Sequence, residues 1–360
     1  MGLEQTLFLF GGLILLTAGA EFLVRGASRL AAIAGISPLV IGLTVVAYGT
    51  SSPELAVSVA AAYSGQGDIA LGNVIGSNIF NVLFVLGLCS LIAPLQVTQQ
   101  LVWLDVPLMI GASVLLVVVG IDGTISRFDA VILLSGAILY TIFAVKQGRQ
   151  EGAAVEKEYA DEFGARSKRS SWPLQLLLIV VGLAMLVFGA RWLVDGAVQI
   201  AELLGVSELV IGLTIIAAGT SLPELATSVI ASIRGERDIA VGNVIGSCLF
   251  NILAVLGLAS LVSPGGVRVA PAVLTFDIPV MLAAALACAP VFFTGHFIAR
   301  WEGAVFLLYY FAYTAYLILN ARAHDALEAF SSVMLQFVIP ITVLTMAVAY
   351  ARYASARRKP

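Results

Sequence analysis

The chain has 360 residues, of which 60% are hydrophobic and 11% are charged, and its formal net charge is −3. Its mean hydropathy is +1.01, which excludes a soluble globular protein because a soluble domain of this length needs far more polar surface. Charged residues concentrate between Lys146 and Arg169, whereas elsewhere the chain has apolar stretches of about 20 residues, the length that crosses a bilayer. The composition therefore predicts an all-α integral membrane protein.

Eleven apolar segments predict membrane-spanning helices. The first five are 5–24, 38–62, 69–92, 101–120 and 128–145. A polar linker over 146–172 separates them from 173–193, 208–232, 239–262, 272–293 and 302–320. A further span at 331–351 lies in a C-terminal region, 321–360, that ends in a basic tail. No basic residues precede the first segment and it has a counterpart at 173–193, so we interpret it as a retained helix rather than a secretory signal.

The two groups of five spans are related in sequence. Residues 42–81 and 212–251 align without a gap at an offset of 170, and 26 of the 40 aligned positions are identical. Two later tripeptides also match: Asp105-Val-Pro107 with Asp277-Ile-Pro279, and Arg127-Phe-Asp129 with Arg300-Trp-Glu302. Because five is an odd number, the second group must enter the membrane in the opposite orientation. The sequence predicts inverted five-helix repeats over 1–145 and 173–320, an architecture of secondary transporters.

The distribution of basic residues predicts the direction of the spans. One set of connecting segments carries most of them: Arg25, Arg29, the linker, Arg234, Arg237, Arg300, Arg352, Arg357, Arg358 and Lys359. The other set carries only Arg127, Arg268 and Arg322. By the positive-inside rule the first set is cytoplasmic. We therefore expect a multi-pass protein of the cell (plasma or inner) membrane with its N-terminus outside and its central linker and C-terminus inside.

Each repeat holds one glutamate inside an apolar span. Glu54 ends the motif G-T-S-S-P-E, and Glu224 ends G-T-S-L-P-E. A charge at the bilayer centre costs on the order of 3 kcal/mol or more, so such a residue indicates a functional site. The proline before each glutamate removes a backbone donor and frees a carbonyl one turn earlier. The carbonyls of Ala47 and Ala217 lie in these loosened stretches and could face an ion.

Helical spacing surrounds the glutamates with neutral oxygen atoms. Thr50 lies four residues before Glu54, and Ser77 four residues before Asn81, so each pair shares a helix face. The second copy repeats both pairs as Thr220 with Glu224 and Ser247 with Asn251, and Ser51 and Ser221 lie alongside. Carboxylate, hydroxyl, amide and carbonyl oxygens without His or Cys suit hard cations such as Ca²⁺ and Na⁺. The G-x-x-x-G spacing at 72–76 and 242–246 predicts the close helix approach that brings these faces together.

With these motifs the chain resembles the calcium/cation antiporter superfamily, and within it the sodium/calcium exchangers of prokaryotic type. The resemblance implies exchange of Na⁺ for Ca²⁺ by alternating access, with both ions as substrates, no cofactor and no catalytic residue. It implies these ion ligands: Ala47, Thr50, Ser51, Glu54, Ser77, Asn81, Ala217, Thr220, Ser221, Glu224, Ser247 and Asn251. Some prokaryotic members have Asp in place of Asn251, and Cys248 replaces the usual Asn of the motif. The eleventh span is not part of the common ten-helix core.

Several functional classes remain open from the residues. The first is the Na⁺-driven antiporter, and the second is the same scaffold driven by protons, since a buried glutamate can release H⁺ as Ca²⁺ binds. A passive cation channel explains the inverted broken helices poorly, and an enzyme lacks any nucleophile or hydrolase motif. Partners are predicted to be Ca²⁺, Na⁺ and the lipid bilayer, with no nucleic acid.

Three local predictions complete the sequence analysis. Asp105 and Asp277 each precede a proline by two residues, which favours a helix N-cap. The pairs Glu21–Arg25 and Arg191–Asp195 have the spacing of ion pairs on one helix face. The cysteines, Cys89, Cys248 and Cys288, occur singly in apolar stretches, which indicates buried packing residues rather than disulfides or metal ligands.

Overall fold

The structure is a computed structural model that describes residues 3–163, 172–204, 217–293 and 296–345, together with residues 211, 215 and 347. Within this part of the chain, nine helices are long and apolar enough to cross a membrane, and a bent helix pair makes a tenth. The predicted all-α membrane fold is confirmed. Parts of the predicted spans 208–232 and 331–351, the end of the linker and the basic tail lie outside the described residues.

The elements of the first repeat alternate long helices with two short strands. They are α1 (Leu3–Ala34), α2 (Pro38–Thr50), α3 (Ser52–Tyr63), α4 (Gly67–Ile92), β1 (Leu95–Gln96), α5 (Leu101–Gly120), β2 (Thr124–Ile125) and α6 (Arg127–Phe163). Helix α6 continues well beyond residue 145, so the first part of the predicted polar linker is helical rather than irregular. That part is rich in Ala, Glu, Gln and Lys, which favour helix.

The second repeat follows the same order. Its elements are α7 (Trp172–Leu203), α8 (Ala217–Gly219), α9 (Leu222–Ile233), α10 (Arg237–Val262), β3 (Val267–Arg268), α11 (Val273–Phe292), β4 (Phe297–Ile298) and α12 (Arg300–Ala321). A further apolar helix, α13 (Ala326–Thr345), follows the ten-span core and is almost entirely exposed along its length.

The strand pairing shows that the repeats are inverted. Strand β1 pairs with β4, and β2 pairs with β3, both antiparallel. Helix α5 runs from β1 to β2, and its counterpart α11 runs from β3 to β4. Because β1 lies beside β4 and β2 beside β3, these two helices run in opposite directions. A helix of 20 residues is about 30 Å long, so the two strand pairs lie at opposite ends of the helical core.

The long helices α1 and α7 pack against each other along their length, and glycines make this contact possible. A Cβ on Gly12 would lie 2.6 Å from the backbone nitrogen of Leu193 and 2.8 Å from the carbonyl oxygen of Gly189. A Cβ on Gly19 would lie 2.8 Å from the carbonyl oxygen of Gly182. Larger residues would force the two backbones apart, as expected for small residues at helix contacts in membranes. Gly12 contacts Gly189, and Gly19, further along α1, contacts the earlier Gly182, so the two helices are antiparallel.

The helix that carries the first glutamate is broken as predicted. Helices α2 and α3 meet at Ser51 and are bent by 47°. Pro53 stands in the first turn of α3, where a missing backbone donor costs least. In the second copy, Thr220 and Ser221 separate α8 from α9, and Pro223 takes the matching position.

The predicted N-caps at Asp105 and Asp277 are wrong. Each residue lies inside a continuous helix, because a π turn at Leu101–Asp105 or Val273–Asp277 carries the helix past the following proline. Asp105 Oδ1 instead accepts a hydrogen bond from the Tyr140 hydroxyl at 3.1 Å, and Asp277 Oδ1 accepts one from Tyr313 at 3.0 Å.

In the other matched tripeptide, the acidic side chains do cap helices. Asp129 Oδ2 accepts from the Ser126 backbone nitrogen at 2.9 Å, at the start of α6. Glu302 Oε2 accepts from the Ala299 nitrogen at 2.8 Å, at the start of α12. Each satisfies a backbone donor that the helix start leaves free.

The predicted ion pairs behave differently in the two repeats. Glu21 pairs with Arg25 as expected and also with Arg234, which follows α9. Ser28, one turn after Arg25, donates to Glu236 Oε1 at 2.7 Å. In the described part of the chain, the matching Arg191 and Asp195 form no ion pair, so this prediction is wrong for the second copy. All three cysteines are buried and free, as predicted.

Candidate functional site

Both intramembrane glutamates lie at the centre of the helical core. Glu54 and Glu224 are 0% exposed, and each occupies the first turn of its short helix, α3 or α9. The N-terminal end of a helix carries partial positive charge, which favours an acidic side chain there. The ion pairs of the described residues all involve Glu21, so neither buried glutamate has a basic partner among them.

Each glutamate is bonded by a serine from the other repeat. Ser51 Oγ donates to Glu224 Oε1 at 2.6 Å. Ser221 Oγ lies 2.9 Å from Glu54 Oε1 and 2.9 Å from Ser77 Oγ. Ser247 Oγ is 3.5 Å from Glu224 Oε1. These contacts join the broken helices of the two repeats directly through their serine and glutamate side chains.

A second pair of crossed contacts connects threonines with asparagines. Thr50 Oγ1 lies 3.1 Å from Asn243 Oδ1, and Thr220 Oγ1 lies 3.2 Å from Asn73 Oδ1. Our sequence analysis did not select the two asparagines, because we interpreted the surrounding glycines as a packing motif. The spacing of the sequence does indicate this role, because Asn73, Ser77 and Asn81 are four residues apart and therefore share one helix face.

The glycines of the second motif make the predicted close approach. A Cβ on Gly246 would lie 2.5 Å from the carbonyl oxygen of Leu43 and 2.8 Å from the Ala47 Cβ. A Cβ on Gly242 would lie 2.9 Å from the carbonyl oxygen of Leu39. Helix α10 therefore touches the backbone of α2, which brings Ser247 beside the crossed serines. For Gly72 and Gly76 of the first motif, no atom of the described residues lies within 4 Å of such a Cβ, so the close approach predicted there stays a prediction.

Two of the site asparagines stand at π turns. Asn81 lies in the π turn Phe80–Leu86 and Asn251 begins the π turn Asn251–Val255. A third π turn, Gly42–Val46, directly precedes Ala47. Such turns interrupt regular backbone hydrogen bonding and occur frequently at functional sites.

Several buried oxygen atoms in this cluster have no hydrogen-bond partner in the described part of the chain. They include Glu54 Oε2, Glu224 Oε2, Asn81 Oδ1 and Asn251 Oδ1. Carboxylate oxygens can only accept, and burying an acceptor without a donor costs free energy. A bound cation or a proton would satisfy them. Among the described residues, no group of three or more His, Cys, Asp or Glu could hold a metal, so the donor set is two carboxylates and neutral oxygens.

The remaining predicted ligands have distinct surroundings. Thr50, Ser51, Ser77, Ser221 and Ser247 are buried or nearly so. The Ala47 carbonyl accepts a hydrogen bond from the Ser51 backbone nitrogen at 3.0 Å and lies 3.3 Å from Thr50 Oγ1. Ala217 begins α8, so its backbone occupies the position that matches Ala47. The assignment of all twelve residues as ion ligands stays a prediction.

The two ends of the site differ at one matched position. Asn78 Oδ1 accepts a hydrogen bond from Asn251 Nδ2 at 3.2 Å, and Asn78 Nδ2 donates to the Cys248 carbonyl at 3.3 Å. Cys248 occupies the position that matches Asn78, so Asn81 has no equivalent amide partner in the described structure. The cysteine substitution therefore does more than change packing, because it removes one of two symmetric amide contacts.

Comparisons with known proteins agree with this arrangement. A family model described as sodium/calcium exchanger protein matches residues 4–146 and 174–319. The chain is 42% identical over 287 residues to the putative antiporter CaxA of Alkalimonas amylolytica, covering 79% of the chain and 88% of that protein. It is 35% identical over 339 residues to the sodium/calcium exchanger MaX1 of Methanosarcina acetivorans, covering 85% and 96%.

The fold is also similar to a solved structure. The sodium-calcium exchanger NCX_Mj, soaked with 2.5 mM Na⁺ and 0.1 mM Ca²⁺, superposes with a TM-score of 0.74 at 35% sequence identity. The match covers 88% of this chain and 99% of the solved one. The family model ends at residue 319, before α13 begins.

Proposed function

The chain belongs to the sodium/calcium exchanger family of membrane antiporters, and we propose that it exchanges Na⁺ for Ca²⁺ by alternating access at the site between its two repeats. The observation that carries the proposal is the pair of fully buried glutamates, each bonded by a serine of the opposite repeat and each with one oxygen that no described residue hydrogen-bonds. The proposed ligands are the twelve residues predicted from the sequence.

The charge of the site supports a divalent substrate. Two carboxylates in a buried, largely apolar core cannot both remain ionised unless cations neutralise them. One Ca²⁺ matches their combined charge, and Ca²⁺ takes six to eight oxygen ligands, which two glutamates and the surrounding hydroxyl, amide and carbonyl groups can supply. Several Na⁺ ions sharing the same oxygens would neutralise the site when Ca²⁺ is absent.

The neutral ligands favour Na⁺ over H⁺ as the counter-ion. Asn81 and Asn251 add oxygen atoms without adding a group that binds protons at ordinary pH. The oxygens of the threonines, serines and alanine carbonyls exceed what one Ca²⁺ needs once both glutamates contribute. The alternative is Ca²⁺/H⁺ exchange, in which the glutamates release protons as Ca²⁺ binds. The relative MaX1 is a sodium/calcium exchanger, which supports Na⁺ as the counter-ion.

The proposed orientation places the N-terminus outside and the central linker inside. It rests on the excess of Arg and Lys in one set of loops. The strand pairs are compatible with it, because β1 and β4 both lie in loops assigned inside, while β2 and β3 both lie in loops assigned outside.

The driving ion is tested by Ca²⁺ uptake into vesicles that contain the purified protein. Vesicles loaded with Na⁺ are compared with vesicles loaded with choline at the same pH, and a third set carries a pH gradient without Na⁺. We expect uptake that requires internal Na⁺ and collapses with choline. Uptake that ignores Na⁺ and follows the pH gradient would support the proton-driven alternative instead.

A further inference from the structure

We propose that Asn73 and Asn243 are positioning residues that turn the hydroxyl lone pairs of Thr220 and Thr50 toward the transported ion. The proposal rests on the proposed function, since it concerns how the same site presents its oxygens. It assigns a role to two side chains that are not among the predicted ligands. Each asparagine acts on the threonine of the other repeat.

The orientation of the Asn73 amide is fixed by a backbone carbonyl. Asn73 Nδ2 lies 3.3 Å from the carbonyl oxygen of Glu54 and 2.9 Å from Ser58 Oγ. A carbonyl oxygen only accepts hydrogen bonds, so the amide nitrogen must face it. The amide oxygen then points the other way, where the Thr220 hydroxyl lies 3.2 Å from it.

The second copy repeats this arrangement. Asn243 Nδ2 lies 3.3 Å from the carbonyl oxygen of Glu224 and 2.9 Å from Ser228 Oγ. Asn243 Oδ1 faces the Thr50 hydroxyl at 3.1 Å. The carbonyl of Ala47, at 3.3 Å, and the carboxylate of Glu224 are alternative acceptors for that hydroxyl. Asn243 and Ser228 are 0% exposed, so no water competes at their surface.

A hydroxyl group carries one proton and two lone pairs, and only a lone pair can coordinate a cation. When the threonine proton is given to the asparagine oxygen, it points away from the ion cluster and the lone pairs remain available. Both amide hydrogens of each asparagine are already engaged, by the glutamate carbonyl and the serine. The oxygen of each asparagine, the atom that could ligate a cation, faces the threonine hydroxyl, so in this proposal the asparagine acts through the threonine.

The crossed geometry makes the proposal testable by double-mutant cycles, with the chain supplying its own control. The matched pairs are Asn73 with Thr220 and Asn243 with Thr50, and the mismatched pairs are Asn73 with Thr50 and Asn243 with Thr220. The single variants are N73A, N243A, T50V and T220V. Initial rates of Ca²⁺ uptake into Na⁺-loaded vesicles give the apparent KM for Ca²⁺ and the maximal rate for each.

We expect each single substitution to raise the apparent KM by about tenfold, the size of one lost hydrogen bond, with the maximal rate changed less. The matched doubles N73A/T220V and N243A/T50V should be about as impaired as their worse single, because the second change removes an interaction already lost. In the mismatched doubles N73A/T50V and N243A/T220V, the two increases in apparent KM should multiply, to about a hundredfold. A merely structural role would not reproduce this crossed pattern.

Two outcomes would overturn the proposal: multiplying effects in the matched doubles, or equal coupling in all four doubles. If the alanine variants of the asparagines fail to insert into the membrane, S58A and S228A replace them. Each removes one hydrogen bond that holds the asparagine amide but keeps the amide itself. S58A should then show coupling to T220V, and S228A to T50V. Wild-type protein is measured alongside. Wild-type protein without Na⁺-dependent Ca²⁺ uptake would overturn the proposed function, whereas normal wild-type uptake with multiplying matched doubles overturns the positioning role alone.

Discussion

Replacing either buried glutamate with glutamine removes one of the two negative charges of the site while preserving its shape. In Glu54→Gln, the amide oxygen can still accept the hydrogen bond that Ser221 makes at 2.9 Å. The other oxygen, Glu54 Oε2, which has no hydrogen-bond partner among the described residues, is replaced by an amide NH₂ group. The same holds for Glu224→Gln and the 2.6 Å bond from Ser51. The change therefore tests charge rather than packing.

The size of the effect follows from Coulomb's law. A divalent ion about 3 Å from a carboxylate oxygen gains on the order of 10 kcal/mol at an effective dielectric constant near 20. The cost of burying the carboxylate, several kcal/mol, offsets part of that attraction. About 4 kcal/mol or more should remain, which corresponds to about a thousandfold loss of Ca²⁺ affinity. We expect near-complete loss of transport from either substitution.

The assay is uptake of radioactive Ca²⁺ into Na⁺-loaded vesicles, with the amount of inserted protein measured in parallel. A matched control is Glu302→Gln, because Glu302 is also a buried acid in an apolar helix but caps the start of α12, and glutamine can still accept from the Ala299 nitrogen. The control should transport almost normally. Uptake at the wild-type level by Glu54→Gln or Glu224→Gln would refute the proposed role of the two carboxylates.

Two further predictions concern topology and the ion pairs of α1. Cysteines placed at Gln66 and Glu236, in a background without the three native cysteines, should react with an impermeant reagent from opposite sides of the membrane; reaction of both in intact cells would contradict the proposed orientation. Glu21→Gln removes the pairs with Arg25 and Arg234, which are partly exposed, so we expect at most about 1 kcal/mol of destabilisation, measured by thermal unfolding. Arg191→Gln, at the position that matches Glu21, should have a smaller effect, and equal effects would argue against the pairs.

The candidate site could be located from the sequence because both repeats carry the same set of oxygen-bearing residues. Glu54 and Glu224 are ionisable groups in apolar spans, and identical neighbours surround both. Spacing also predicts that Thr50 and Glu54 share a face. Spacing alone cannot tell which repeat supplies the partner of a given side chain. That Ser51 bonds Glu224 rather than Glu54 depends on how the two broken helices meet in space.

The error at Asp105 and Asp277 has a specific cause. An acidic residue two positions before a proline is typical of a helix start, because proline suits the first helical turn. Here a π turn ends at each aspartate and the helix continues through the proline. Local sequence did not reveal the π turns, and the tyrosine partners Tyr140 and Tyr313 lie on other helices. Tertiary contacts thus decided the role of both aspartates.

An inverted repeat relates the two ends of the site by a pseudo-two-fold axis, so each contact across the axis has a partner in which the roles are exchanged. Four sets of contacts follow this rule: Gly12–Gly189 with Gly19–Gly182, β1–β4 with β2–β3, Ser51–Glu224 with Ser221–Glu54, and Thr50–Asn243 with Thr220–Asn73. The two repeats therefore contribute matching oxygen atoms to the candidate site at these positions. Asn78 and Cys248 break the rule, because Asn251 has an amide partner and Asn81 has none in the described structure. The orientation of the Asn251 amide is therefore set by Asn78, whereas no side chain in the described structure sets that of the Asn81 amide.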